Sequence, residues 1–194
     1  MDAADLATVR LRTYRTQLGV VLQDTFLFDG TIRENVAFAK PDASEEEILE
    51  ACRIARVDEF AEGFEKKYDT VVGERGATLS AGQRQRIAIA RAAIRRAPIL
   101  IFDEATTGLD EENEQLVLES LRRVSRGRTT FWITHDLRLA SRADVILYLE
   151  GGRVLERGTH AELIRAAARY AVLYRLQSAT WAPTASEDSH ALIS

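Results

Sequence analysis

Short apolar runs alternate along the chain with stretches of helical period. Residues 15–22 (RTQLGVVL) end in consecutive apolar positions, the pattern of a buried strand that delivers Gln23 at its end. The segment DTFLFDGTIRENVAF follows, with Asp29-Gly30 as a turn signal. From Ser44 the period becomes helical: Ser44 and Glu47 form a capping box, and Ile48, Leu49, Cys52 and Ala55 recur at helical spacing. A second capping box, Ser80 with Gln83, opens a helix over 81–97 whose interior is Ile87, Ile89, Ala90 and Ile94. Pro98 stops it, and 99–102 (ILIF) is the next strand. Glu111–Ser125 is amphipathic, with Leu116, Leu118 and Leu121 among its apolar positions, and 129–134 (TTFWIT) is again β-rich. Residues 145–149 form a further strand, and Gly151-Gly152 turns it as a hairpin into 153–156. A third capping box, Thr159 with Glu162, starts a helix expected to run to Leu176. The tail 178–194 is polar and aperiodic, and is expected to be disordered.

Strands alternating with helices predict an α/β fold with a largely parallel sheet and flanking helices. The stretch between Gln23 and Ala97 is far richer in helix than in strand, so a helical subdomain over 27–97 is expected to be inserted in that sheet. The boundaries predicted are one domain over 1–177 and the tail over 178–194. No internal repeat is found.

The composition narrows the function classes. A hydrophobic fraction of 46% with 29% charged residues is the balance of a soluble globular protein. No apolar run approaches the ~18 residues of a membrane-spanning helix, and the acidic start MDAADLATVR is unlike a secretory leader. The lone Cys52 can form no internal disulfide, which fits a reducing compartment, and its helical setting marks it as a small apolar residue. The net charge of −4 gives no reason to expect nucleic acid as a partner. Arg84, Arg86, Arg91, Arg95 and Arg96 spread around one helix and read as a solvated, ion-paired surface.

The candidate chemistry lies in ILIFDEATTGLD. Four apolar residues run into Asp103 and Glu104, so a buried strand presents two carboxylates at its end. One such oxygen can hold Mg²⁺ beside substrate phosphates, and its neighbour can face a water attacking a γ-phosphate. In LSAGQ, Ser80 caps a helix while Ala81 and Gly82 keep side chains away from the backbone N–H groups. A helix start of this kind suits an anion.

Gln23, VGERG, LSAGQ, ILIFDE, TGLD and THD occur in that order, and with them the chain resembles the nucleotide-binding domain of ABC transporters over residues 6–176. Gln23 resembles the Q-loop glutamine and LSAGQRQRIAIARA the family signature. Residues 99–103 resemble Walker B, Thr107 to Asp110 the D-loop, and His135 the switch histidine. QDTFLFDGTIRENVAF and VGERG point to the exporter branch. The resemblance implies a P-loop NTPase-like core that binds ATP with Mg²⁺ on Gln23 and Asp103. It implies Glu104 as the catalytic carboxylate and His135 as a γ-phosphate contact. Ser80, Ala81, Gly82 and Gln83 would grip ATP bound by a second nucleotide-binding domain, in a homo- or heterodimer, with Asp110 bridging to it. The pair would work under a transmembrane domain at the cytoplasmic face of the membrane. His160 and His190 match no motif.

One family element lies outside these residues. The phosphate loop needs G-x-x-x-x-G-K-[ST], and the chain's three lysines precede Pro41, Lys67 and Tyr68. A truncated gene or misplaced start codon is the expected cause, and very weak ATP binding by this chain alone the expected result. Three positions depart from the family pattern: Ala81 where glycine is commoner, Gly108 where alanine is usual, and THD in place of a histidine-arginine pair. A non-catalytic half-site that lends LSAGQ to a partner is the alternative, against which the intact Glu104 and His135 speak. A chromosome-maintenance ATPase would place a long coiled coil between Gln23 and Ser80. The stretch here has no heptads. The motifs do not name a transported substrate.

Overall fold

Parallel strands carry the first of two compact units, which span Met1–Ile133 and Thr134–Ser194. The structure, a computed structural model, describes residues 5–181, so most of the predicted tail, from residue 182 on, lies outside the described residues. In the first unit the elements run α1 (Leu11–Thr16), β1 (Leu18–Val21), α2 (Ile32–Ala37), α3 (Glu45–Ile54), α4 (Asp58–Ala61), α5 (Ala81–Ile94), β2 (Ile99–Asp103), α6 (Glu111–Ser125) and β3 (Thr129–Ile133). The strands lie in the order β1-β2-β3, all parallel, with Val21 beside Phe102 and Asp103 beside Ile133. The predicted α/β class with a parallel sheet and flanking helices is therefore the one observed.

Helix α5 organises this unit. It touches β1, α2, α3 and α6 at once, so it is buried on most of its circumference rather than along one stripe. Ile87, Ile89, Ala90 and Ile94 are all interior, as their spacing predicts. Each fully buried isoleucine is worth about 1.5–3 kcal/mol over an exposed one. Gly19 lets the helix lie flat on β1: a Cβ there would come within 2.8 Å of Leu100 Cδ2 and 3.7 Å of Ala92 Cβ. The sheet's other surface is less covered, with Val20, Phe131 and Ile133 roughly half exposed. Parallel sheets are normally buried on both faces.

The second unit contains α7 (Leu137–Ala140), β4 (Ile146–Glu150), β5 (Arg153–Gly158), α8 (His160–Ala166) and α9 (Arg169–Trp181). β4 and β5 form the predicted antiparallel hairpin, and both turn glycines take positive φ. Ile146, Leu163 and Tyr170 make its small core, with Leu137, Ile164 and Tyr174 packed against it.

Several boundaries differ from the sequence reading. Arg15 and Thr16 belong to α1, so the strand begins only at Leu18. Helix α5 ends at Ile94, because Pro98 biases Ala97 away from helical angles and Arg96 leaves the helix at φ +52°. The helix expected from Thr159 to Leu176 is two helices, broken where Ala167 takes a left-handed conformation. No glycine or proline marks that break. It is set by tertiary contacts, since Leu163 and Tyr170 fill one core and the Tyr170 N–H donates to Glu156 at 3.2 Å. The second of the pair runs on through Ser178 to Trp181. Helix α2, which the apolar pattern does not predict, starts at a full capping box of Thr31 and Glu34.

Candidate functional site

The acidic pair sits where the sheet ends. Asp103 closes β2 half-buried, and the Glu104 N–H donates to the Ile133 carbonyl at 3.0 Å, extending the ladder by one bond. The chain then turns away, which forces Glu104 to φ +49°. A left-handed residue with a Cβ costs roughly 1–2 kcal/mol, a strain often found where a side chain must be aimed. The Thr107 hydroxyl donates to Glu104 Oε2 at 2.7 Å, and its N–H to the Glu104 carbonyl at 3.1 Å. The next turn also accounts for Gly108, which sits at φ +78° with open space around it. Glycine is the residue with least strain there.

Gln23 lies two residues beyond β1, at the same carboxyl edge of the sheet, and is exposed. It lines a cleft of about 270 Å³ together with Ala81, Arg84, Gln85 and Thr107. Gln85 carries a role that the sequence reading missed. Buried on α5, it donates from Nε2 to the Leu22 carbonyl at 3.0 Å and accepts from the Thr25 hydroxyl. The segment around Gln23 is thus tied on both sides to the helix that LSAGQ opens. Nothing in the sequence separates Gln85 from an exposed helical glutamine.

At the start of α5 the capping box is complete: the Gln83 N–H donates to Ser80 Oγ at 3.2 Å, and the Ser80 N–H to Gln83 Oε1 at 2.9 Å. Ser80 and Ala81 are exposed, while Gly82 is buried. A Cβ on Gly82 would meet Asn113 Oδ1 at 2.3 Å, Cγ at 2.7 Å and Cβ at 2.9 Å. The small side chain is therefore required by α6, which approaches α5 at this point. Asn113 is held by Asp110, whose Oδ1 accepts the Asn113 N–H at 2.9 Å and whose Oδ2 accepts from Nδ2 at 2.8 Å. Those bonds from Asn113 keep the Asp110 carboxyl below its usual range.

The arginines of α5 are not a uniform solvated surface, which corrects the expectation above. Arg86 is buried, donating to the Arg56 carbonyl at 3.1 Å and to Glu59 at 3.3 Å, with its guanidinium 4.9 Å from the Phe60 ring centre. Arg91 reaches the Asn35 carbonyl at 2.7 Å and also the Phe26 carbonyl, and burial pushes its guanidinium down to about 10, still charged at neutral pH. Only Arg95 and Arg96 are exposed. The buried arginines brace α5 against the segments that precede it.

In the second unit His135 is exposed and begins a tight turn. The Asp136 N–H donates to Thr134 Oγ1 at 2.9 Å, and Asp136 Oδ1 caps α7 by accepting the Arg138 N–H at 2.8 Å. The THD departure is therefore accounted for locally, since both Thr134 and Asp136 build the turn. The His135 carbonyl accepts from Gln177 Nε2 at 2.8 Å, and the Leu137 N–H donates to Gln177 Oε1 at 3.0 Å. His160, to which no motif points, pairs its Nδ1 with the Tyr170 hydroxyl at 2.8 Å.

Among the described residues no cluster of three or more histidine, cysteine or carboxylate groups could hold a metal ion. The oxygen donors of Gln23 and Asp103 at one sheet edge suit instead a hard cation such as Mg²⁺, which binds one or two protein oxygens and completes its shell with water and phosphate. No described helix is long and apolar enough to cross a membrane.

The first unit is thus of the α/β class, its three-stranded parallel sheet ending in two adjacent carboxylates and its capped helix start lying beside the Gln23 segment. Comparison with known proteins gives the family: residues 1–107 match the ABC transporter model, and the chain belongs to that family. It is 46% identical over 177 residues to an ATP-dependent lipid A-core flippase of Chromohalobacter salexigens, covering 91% of this chain and 31% of that protein. It is 45% identical over 171 residues to the leptomycin B resistance protein pmd1 of Schizosaccharomyces pombe, covering 88% of this chain and 13% of that one. The fold is similar to a bacterial Atm1-family ABC exporter solved with ATP bound, with a TM-score of 0.85, 41% identity, and coverage of 95% of this chain and 32% of that one. The chain thus spans about a third or less of the relatives it matches.

Proposed function

We propose that the chain is the ATP-hydrolysing portion of an ABC exporter, driving transport through a head-to-tail pair of nucleotide-binding domains. The observation that carries this reading is the common carboxyl edge of β1 and β2, which brings Gln23 and Asp103 to neighbouring strand ends with Glu104 next in the chain. In open parallel sheets ligands bind at that edge. Mg²⁺, held by Gln23 and Asp103, would neutralise phosphate charge. Glu104, aimed by its backbone and by Thr107, would orient and deprotonate the attacking water. His135 would contact the γ-phosphate. Ser80, Ala81, Gly82 and Gln83 would grip the nucleotide of the second domain, with Asp110 at the joint between the two.

On this reading residues 27–97 are a helical subdomain within the ATPase core. The core is completed by a further segment that carries the phosphate loop and covers Val20, Phe131 and Ile133. A transmembrane domain is the second partner, and the assembly works at the cytoplasmic face of the membrane. This chain alone would bind ATP very weakly. The transported substrate is a property of the membrane partner.

The alternative is a half-site that only donates LSAGQ, favoured by one observation: none of the three lysines fits the phosphate-loop pattern. Two measurements separate the readings. The first is the mass of the native protein, together with the DNA upstream of Met1. The second is steady-state ATP turnover of the native assembly with Glu104→Gln. A larger protein carrying the phosphate loop, with turnover reduced about 100-fold or more, is expected. A native mass near 21.7 kDa, or an E104Q assembly as active as its parent, would overturn the proposal.

A further inference from the structure

Between Thr134 and Leu137 the chain makes its turn with two backbone groups directed at one side chain. The carbonyl of His135 takes a hydrogen bond from Gln177 Nε2 at 2.8 Å, and the N–H of Leu137 gives one to Gln177 Oε1 at 3.0 Å. The partners fix the orientation of the amide, since a carbonyl needs a donor and an N–H an acceptor. Among the uncharged side chains of this length, only glutamine offers both at once. Gln177 is itself held by the helix that carries it: Tyr170 of α9 is buried in the core of the second unit, Tyr174 meets Trp181 edge-on at 5.3 Å, and Arg138 lies 5.7 Å from the Trp181 ring centre.

We infer that Gln177 is a positioning residue for His135, fixing the backbone from which the imidazole projects. The inference rests on the reading of His135 as the γ-phosphate contact. It assigns α9 a part in the chemistry: the last described helix sets the direction of a reacting group 42 residues earlier in the chain. Each half of the amide has a separable consequence. Gln177→Met keeps the length and loses both bonds. Gln177→Glu keeps an acceptor for the Leu137 N–H and places a carboxylate against the His135 carbonyl.

The test combines two readouts. Steady-state ATP turnover is measured on the native assembly carrying Q177M, Q177E or His135→Ala, and amide exchange at Leu137 is followed on the same assembly. Q177M is expected to lower kcat about tenfold while KM for ATP stays within about twofold, because orientation is lost and nucleotide contact is not. The Leu137 amide should exchange about tenfold faster in Q177M and at the parental rate in Q177E, whose kcat nevertheless falls. A parental kcat in Q177M alongside an inactive H135A overturns the inference and leaves the reading of His135 standing. Unchanged Leu137 exchange in Q177M, or a raised KM with parental kcat, also overturns it. An H135A assembly with full turnover overturns the reading of His135 itself, and with it the role of Gln177. Should Q177M not fold, Q177E decides by the same kcat criterion.

Discussion

The glycine of LSAGQ is expected to be irreplaceable for a reason internal to the fold. In Gly82→Ala the new Cβ falls 2.3 Å from Asn113 Oδ1, 2.7 Å from Cγ and 2.9 Å from Cβ. Turning Asn113 about its first torsion moves Oδ1 and Cγ away, at the cost of the side-chain bonds to Asp110 at 3.0 and 2.8 Å. It does not move the Asn113 Cβ, so α5 and α6 must also separate. Overpacking of this kind costs about 1–3 kcal/mol. The side-chain hydrogen bonds lost are to the exposed Asp110 carboxylate, where water takes their place, so the overpacking dominates. G82A should therefore be about 2 kcal/mol less stable in urea unfolding, with a Tm lower by roughly 4–8 °C for a chain of this size. The decisive comparison is a double-mutant cycle. Asn113→Gly removes all three of these atoms and by itself costs roughly 0.3 kcal/mol of helix propensity, since asparagine is already a poor helix former. In the G82A/N113G pair the clash is absent, so the two costs should fall short of their sum by at least about 1 kcal/mol. Additivity within roughly 0.5 kcal/mol would refute the claim that Asn113 is what excludes a side chain from position 82.

Position 104 should invert the usual order of alanine and glycine: with φ at +49°, Glu104→Gly should be more stable than Glu104→Ala by about 1 kcal/mol in urea unfolding, and a more stable alanine variant would refute the strain. Cys52 is buried and desolvation pushes its thiol up to about 12, so it should stay unmodified by a maleimide at neutral pH and label only on unfolding. Glu47, held down first by its bond from Lys40, and Glu119, held down first by Arg123, have folded pKa values below their unfolded ones. Their contribution is present above the ordinary carboxylate range and lost as pH falls through the folded values. The urea midpoint should therefore drop below about pH 4, and Lys40→Met should shrink the drop; stability rising on acidification would contradict both assignments.

What the sequence determined by itself was the set of elements and the ends they carry. Three capping boxes, at Ser44, Ser80 and Thr159, stand where the residues spelled them, because a cap is satisfied within four residues and needs no distant partner. The strand that carries the acid pair was legible because the length and apolar content of ILIF decide strand against helix locally, and the parallel sheet because strands alternate with helices along the chain. Tertiary structure decided the rest. Arg86 and Gln85 look like surface residues in the chain, and they are buried because α5 is enclosed by β1, α2, α3 and α6 together. The break at Ala167 has no breaker, and exists because Leu163 and Tyr170 share one core. Gly82 is small for the sake of Asn113, and the amide of Gln177 meets the backbone of His135 only when α9 is folded against the turn. These last two contacts join residues 31 and 42 positions apart, and no pattern confined to a few neighbouring residues can encode a partner at that distance.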